Sequence, residues 1–164
     1  MILAIDVDYR ENNHAVIAGV MFNDWQDKEA TETIVTSLNN VQGYVSGQFY
    51  KRELPCILKL LEKIKEIPTY IIVDGYVFLD DNKKGLGAYL YEALDKKIPI
   101  IGVAKTAFKN ISSDTYLYRG ESKKPLYITV AGVELSQAKK FIEEMYGKYR
   151  FPKLLKEVDR VCRI

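Results

Sequence analysis

The sequence predicts an α/β fold built on one mixed sheet, three antiparallel strands followed by parallel ones, with helices on its flanks. Three observations predict it. Three β-patterned runs follow one another at the start with nothing helical between them. Beyond residue 53, short apolar runs alternate with amphipathic stretches, the order that produces parallel pairing. No internal repeat, low-complexity tract or long linker divides the 164 residues, so a single domain over 1–164 is expected.

Ile2 to Val7 is a short, nearly continuous apolar run, and His14 to Phe22 a second, β-branched one beyond the polar turn Glu11-Asn12-Asn13; together they read as a hairpin. Thr31 to Leu38, rich in Thr, Ile and Val, is the third strand. After the Asn, Gly and Ser-rich stretch 39–48, Leu54 to Ile67 carries apolar residues at helical spacing, with Pro55 placed in the first turn. Thr69 to Val73 is a strand, Lys83 to Leu94 an amphipathic helix, and Pro99 to Ala104 a buried strand. The polar segment from Asn110 to Lys124 reads as a loop holding a short Tyr116-Leu117-Tyr118 strand. Leu126 to Val130 is a further strand, Leu135 to Tyr146 a helix, and the tail from Pro152 one more short helix. This order is the one a ribonuclease H-like core requires, although other mixed α/β folds share it.

Composition excludes several classes of function. With 24 Lys+Arg against 22 Asp+Glu, the net charge of +2 marks no nucleic-acid binder by bulk charge and leaves room for a local basic face. No apolar run approaches the ~20 residues of a membrane span. Met1 to Asp6 lacks the basic region of a secretory signal, so a cytoplasmic protein without a membrane partner is expected. Cys56 and Cys162 have no CxxC or CxxH company and read as small buried hydrophobes. Gly85-Leu86-Gly87 lacks the further residues of a phosphate-cradling loop, and the single histidine, His14, lies in a strand and reads as structural.

The acids carry the chemistry. Asp6 and Asp8 end the first strand and share a face, Glu53 opens the first helix, and Asp74 is set at the carboxyl edge of the fourth strand by Gly75. Ligands of open α/β sheets collect at that edge. Carboxylates gathered within a few ångströms cannot all stay ionised without a cation, and hard oxygen ligands favour Mg²⁺ or Mn²⁺, the ions of phosphoryl chemistry. Acids that merely close strands and cap helices are the alternative on spacing alone.

Local sequence extends this reading. Tyr44 to Pro55, written YVSGQFYKRELP, resembles the endonuclease V segment of the form Y-I-P-G-x-L-x-x-R-E-x-P. Ile5-Asp6-Val7-Asp8-Tyr9 is similar to the family's first strand motif, Val73-Asp74-Gly75 with Gly85-Leu86-Gly87 to its second aspartate block, and Ile101 to Lys105 to its G-V-A-K strand. The blocks fall in the family's order over residues 5–105 and fade beyond. The resemblance implies a ribonuclease H-like fold and a Mg²⁺-dependent cut in DNA or RNA near a deaminated purine, chiefly inosine. It implies Asp6, Asp74 and Glu53 as metal-site acids and Lys105 as the cation near the scissile phosphate, though a solvated strand-end lysine fits Lys105 too. Tyr44 matches the wedge aromatic, or is an ordinary loop tyrosine. Gly47 and Gly75 fall in the matching blocks and are expected to contact the strand; Lys83 and Lys84 belong to a run of basic residues interleaved with Tyr116 and Tyr118 that suits a strand-binding face, or are an ordinary solvated surface. No small-molecule cofactor and a monomeric state are expected.

The chain also departs from the pattern. Ser46 stands where the family has a proline, and Asp80, an additional acid, stands where its H-P-R-R block has histidine. Thr129 to Val133 lacks the family's Gly-His pair. A catalytically weak nucleic-acid-binding relative is therefore the second expectation, and a scaffold for protein contacts the third.

Overall fold

The computed structural model describes residues 1–41, 43, 49–80 and 82–164, with the backbone alone of Phe49. A seven-stranded sheet runs in the order β3-β2-β1-β4-β7-β9-β8. Its first half is the expected meander. β1 (Ile2–Arg10) pairs antiparallel with β2 (His14–Phe22) from Ile2↔Phe22 to Arg10↔His14, and β2 pairs with β3 (Glu32–Leu38). Asn12 and Asn13 turn the hairpin with φ of 61° and 57°, a left-handed conformation that asparagine tolerates better than most side chains.

The second half begins when the chain crosses through helix α1 (Phe49–Leu61) and lays β4 (Tyr70–Asp74) parallel to β1. A small hairpin, β5 (Phe78–Asp80) with β6 (Lys83–Lys84), precedes helix α2 (Leu86–Ala93), and β7 (Ile100–Ala104) then lies parallel to β4. A single 3₁₀ turn at Ser113–Thr115 leads to β8 (Tyr116–Leu117), and β9 (Leu126–Ala131) closes the sheet antiparallel to both β7 and β8. Helices α3 (Leu135–Glu144) and α4 (Lys153–Cys162) end the chain.

Strand alternation divides the core between two faces. Leu3, Ile5, Ile71 and Val73 pack with Cys56, Ile57 and Leu60 of α1 and Leu86 and Leu90 of α2. Ile2, Ala4, Ile72 and Ile101 pack on the other side with Ala138 and Ile142 of α3 and Leu154, Leu155 and Val158 of α4. Both faces being covered, the central strands read as unbroken apolar runs.

Two expected elements move. The first helix starts five residues earlier than its apolar spacing suggests, so Pro55 lies inside it rather than in its first turn. There it leaves the carbonyl four residues back without a helical donor. The second helix begins at Leu86, not at Lys83, because Lys83 and Lys84 are spent in β6. Among the described residues no helix is long and apolar enough to cross a membrane. Cys56 and Cys162 are free and buried, as expected of small hydrophobes.

Candidate active site

The parallel ladder between β1 and β4 ends at Ile5↔Val73, which makes Asp6 and Asp74 the next residues of adjacent strands. Both continue the alternation that faces α4, and they line one small cavity with Phe151, Leu155 and Val158. Asp6 is 8% exposed and its Oδ1 accepts a hydrogen bond from the Val7 N–H at 2.9 Å. Glu53, inside α1, is 5% exposed, and its Oε2 is buried without a hydrogen-bond partner. α4 supplies a fourth acid that the sequence reading missed: Asp159 lies close enough to Asp6 to shift its protonation, and its Oδ1 accepts a hydrogen bond from Arg163 Nε at 3.1 Å.

These groups repel one another in a dry setting. Asp6 is pushed up to about 8, by burial first, then by the Asp74 charge and the hydrogen bond shared with Asp159. Burial also pushes Glu53 well above the usual carboxylate range, with Asp74 and Asp6 adding to the shift and Arg52 opposing it. Burial raises Asp74, while Lys105 and Arg163 pull it down and Asp159 pushes it up. For Asp159 burial is outweighed by the Asp6 hydrogen bond and by Lys105 and Arg163, so its carboxyl sits below the ordinary value. Among the described residues no group of three or more acids, histidines or cysteines is arranged to hold a metal ion. The donor types nevertheless suit a hard divalent cation: four carboxyls around one strand edge, one oxygen orphaned, and Asp6 and Glu53 both pushed toward keeping a proton.

The remaining candidates separate. Lys105 follows β7 and is exposed; its charge reaches Asp74, and its Nζ lies 4.3 Å from the centre of the Phe151 ring. Tyr76 Oη donates to the Thr106 carbonyl at 2.6 Å and accepts the Phe108 N–H at 3.0 Å, tying the β4 turn to the segment after Lys105. Gly75 has φ of 132°, a conformation only glycine takes easily, with open space where a Cβ would stand. The next N–H groups at the start of α2 are occupied: Gly87 and Ala88 donate to the Tyr76 and Val77 carbonyls. Lys84 is paired with Glu92 at 2.5 Å, and Lys83 Nζ lies 5.5 Å from the Phe108 ring. Asp80 lines a different cavity, with Asn110 and Thr129, and accepts a hydrogen bond from the Asn82 N–H. Tyr44 and Gly47 lie outside the described residues. His14 Nδ1 meets Asn39 Oδ1 at 2.7 Å across the β2–β3 end.

Asp159 left a weak signal in the sequence. Leu154, Leu155, Val158 and Cys162 form the buried stripe of α4, and Asp159 flanks that stripe where the helix packs against β1. Its value as a site residue depends on where α4 docks, which spacing does not report.

A mixed sheet of this order with acids gathered at the carboxyl ends of its two central parallel strands defines a ribonuclease H-like domain. The endonuclease V family profile matches residues 1–115, and the chain belongs to that family. An endonuclease V from Pyrococcus horikoshii is 28% identical over 163 residues, covering 99% of this chain and 72% of its own. The crystal structure of endonuclease V from Streptomyces avermitilis is similar with a TM-score of 0.81 at 25% identity, over 99% of this chain and 79% of that one. A Ciona intestinalis endonuclease V (D234N), solved with a 23mer DNA containing an inosine followed by a ribo-adenosine, shares the fold with a TM-score of 0.83 at 20% identity, over 99% and 83% of the two chains.

Proposed function

We propose that this protein is a divalent-metal-dependent nuclease that hydrolyses a phosphodiester bond near inosine in DNA or RNA. The observation that carries the reading is the set of Asp6, Asp74, Glu53 and Asp159 at one strand edge with Lys105 beside it, in a chain of the endonuclease V family. Asp6 and Asp74 would hold Mg²⁺ or Mn²⁺, with Glu53 and Asp159 completing the acidic surround. A bound cation would lower the pKa of the attacking water and neutralise phosphate oxygens. The chain's own groups supply the rest. Glu53, whose buried Oε2 has no partner, is available to hydrogen-bond the attacking water. Lys105 places a positive charge where negative charge builds on the phosphate. Asp159, held ionised by Lys105 and Arg163, favours the protonated form of Asp6. The inosine-containing DNA bound by the Ciona relative supports the substrate class.

Labelled inosine-containing DNA and RNA strands, incubated with Mg²⁺ or Mn²⁺, test this directly. Cleavage by the wild type and none by Asp74→Ala is expected. Equal products from both proteins, or none from either, would sink the reading. The departures at Ser46 and Asp80 from the family's pattern favour the second reading, a catalytically weak or inactive nucleic-acid-binding relative. Salt-dependent binding without turnover would select it.

A further inference from the structure

We infer that the segment from Tyr146 to Lys156 is a preformed platform that grips a single nucleic-acid strand beside the carboxylate site. Its identity as a strand-binding face rests on the nuclease reading above. Tyr149 is 63% exposed, and two ammonium groups lie near its ring, Lys148 Nζ at 5.6 Å and Lys156 Nζ at 5.5 Å from its centre. Tyr146, 42% exposed, has Lys28 Nζ at 5.4 Å and Lys153 Nζ at 5.8 Å. Tyr146, Lys148, Tyr149, Lys153 and Lys156 line a cleft of about 650 Å³, and Phe151, which also lines it, lines the cavity of Asp6 and Asp74 as well. Lys105, over the Phe151 ring, joins the two. The track of rings and cations therefore runs into the acidic site.

The platform is held from behind. Arg119, 5% exposed, directs its guanidinium inward, where it donates to the carbonyls of Met145 at 2.7 Å, Gly147 at 2.9 Å, Tyr149 at 2.5 Å and Arg150 at 3.3 Å. Gly120, with φ of 60°, packs directly on the Lys148 carbonyl, where any Cβ would collide. With its backbone fixed in this way, the segment presents Lys148 and Tyr149 outward. Acids do not cancel the face. Glu29 engages Lys153 at 2.9 Å, and Glu121 lines the adjoining cleft, but among the described residues Lys28, Lys105, Lys148 and Lys156 have no salt-bridge partner. Exposed rings interleaved with free ammonium groups suit stacked bases and their phosphates, and suit a peptide or a lipid surface less well.

Fluorescence anisotropy of a labelled single-stranded 20-nucleotide DNA carrying one inosine tests the platform on an Asp74→Asn background, where cutting does not intervene. Tyr149→Ala is expected to weaken binding about tenfold on a base-bearing strand and not on an abasic one, while Tyr149→Phe retains the affinity. Lys148→Ala with Lys156→Ala should reduce the slope of log K against log salt by about 1.4. A Lys63→Ala, Lys65→Ala pair, on the exposed turn beyond α1, controls for lost charge. Platform variants that bind like the parent, an equal loss on abasic strands, or displacement by polyglutamate as effective as by unlabelled strand would each overturn the inference. If the wild type cuts inosine strands while these variants bind normally, the platform fails and the nuclease stands. If nothing is cut but Tyr149→Ala still loses base-dependent binding, the nuclease reading fails and the platform stands.

Discussion

Two regions of this molecule bury charge, and they treat it in opposite ways. Around Arg119, one guanidinium faces four backbone carbonyls and no buried acceptor among them is wasted. At the strand edge, Asp6, Glu53, Asp74 and Asp159 are brought together with too few cations, one oxygen is left without a partner, and Asp6 and Glu53 are pushed toward keeping their protons. A buried charge whose partners are all present is structural: it organises the chain. Buried charges left in conflict are kept for something that arrives from outside. The sign of a mutation should therefore differ between the regions.

The largest effect expected is on chemistry. Asp74→Asn removes a charge from the acidic set without changing its shape, and the cleavage rate on an inosine strand should fall by about three orders of magnitude or more. A rate within tenfold of the wild type would place the reaction elsewhere. Next comes stability at the satisfied region. Arg119→Met leaves the carbonyls of the 145–150 segment without their donor, and denaturant unfolding should show a loss of about 3 kcal/mol. Arg119→Lys, with fewer donors in a less suitable geometry, should recover only part of it.

A smaller effect sharpens the contrast through pH. Asp6 keeps its proton in the fold up to about 8, while in the unfolded chain it releases it near the ordinary aspartate value of 3.8. Between these values the folded state binds the proton that the unfolded state has lost, so stability falls as pH rises through the window and levels off above it. The unfolding free energy measured with urea in EDTA should decline from pH 5 to pH 8, by on the order of 3 kcal/mol from this site, and the urea midpoint should fall with it. Saturating Mg²⁺ should flatten the decline. A midpoint that rises with pH in EDTA would contradict the assignment.

The fold was legible where the sequence carried periodicity. The meander of β1, β2 and β3 followed from β-branched runs and the Asn12-Asn13 turn, and the buried β4 and β7 from unbroken apolar stretches. Boundaries failed where tertiary contacts override local preference. Lys83 and Lys84 read as helix but pair in a hairpin, and Pro55 reads as a helix start but lies within one. Of the candidate acids, Asp6 and Asp74 were legible because strand ends reveal themselves in sequence. Asp159 was not, because it reaches the strand edge only through the docking of α4. Asp80, expected as an additional acid, faces a different cavity because β5 turns it away from the strand edge.

The most direct test of the account is the melting temperature of the wild type and of Asp6→Asn at pH 8, in EDTA and across a titration with Mn²⁺. The account predicts that Asp6→Asn is the more stable protein in EDTA, since a neutral side chain relieves the repulsion with Asp74 and Asp159, and that it responds little to the metal. The wild type should start lower and rise to saturation as Mn²⁺ is added. A wild type indifferent to Mn²⁺, together with an Asp6→Asn protein less stable than it in EDTA, would contradict the claim that these acids are held in conflict for a cation.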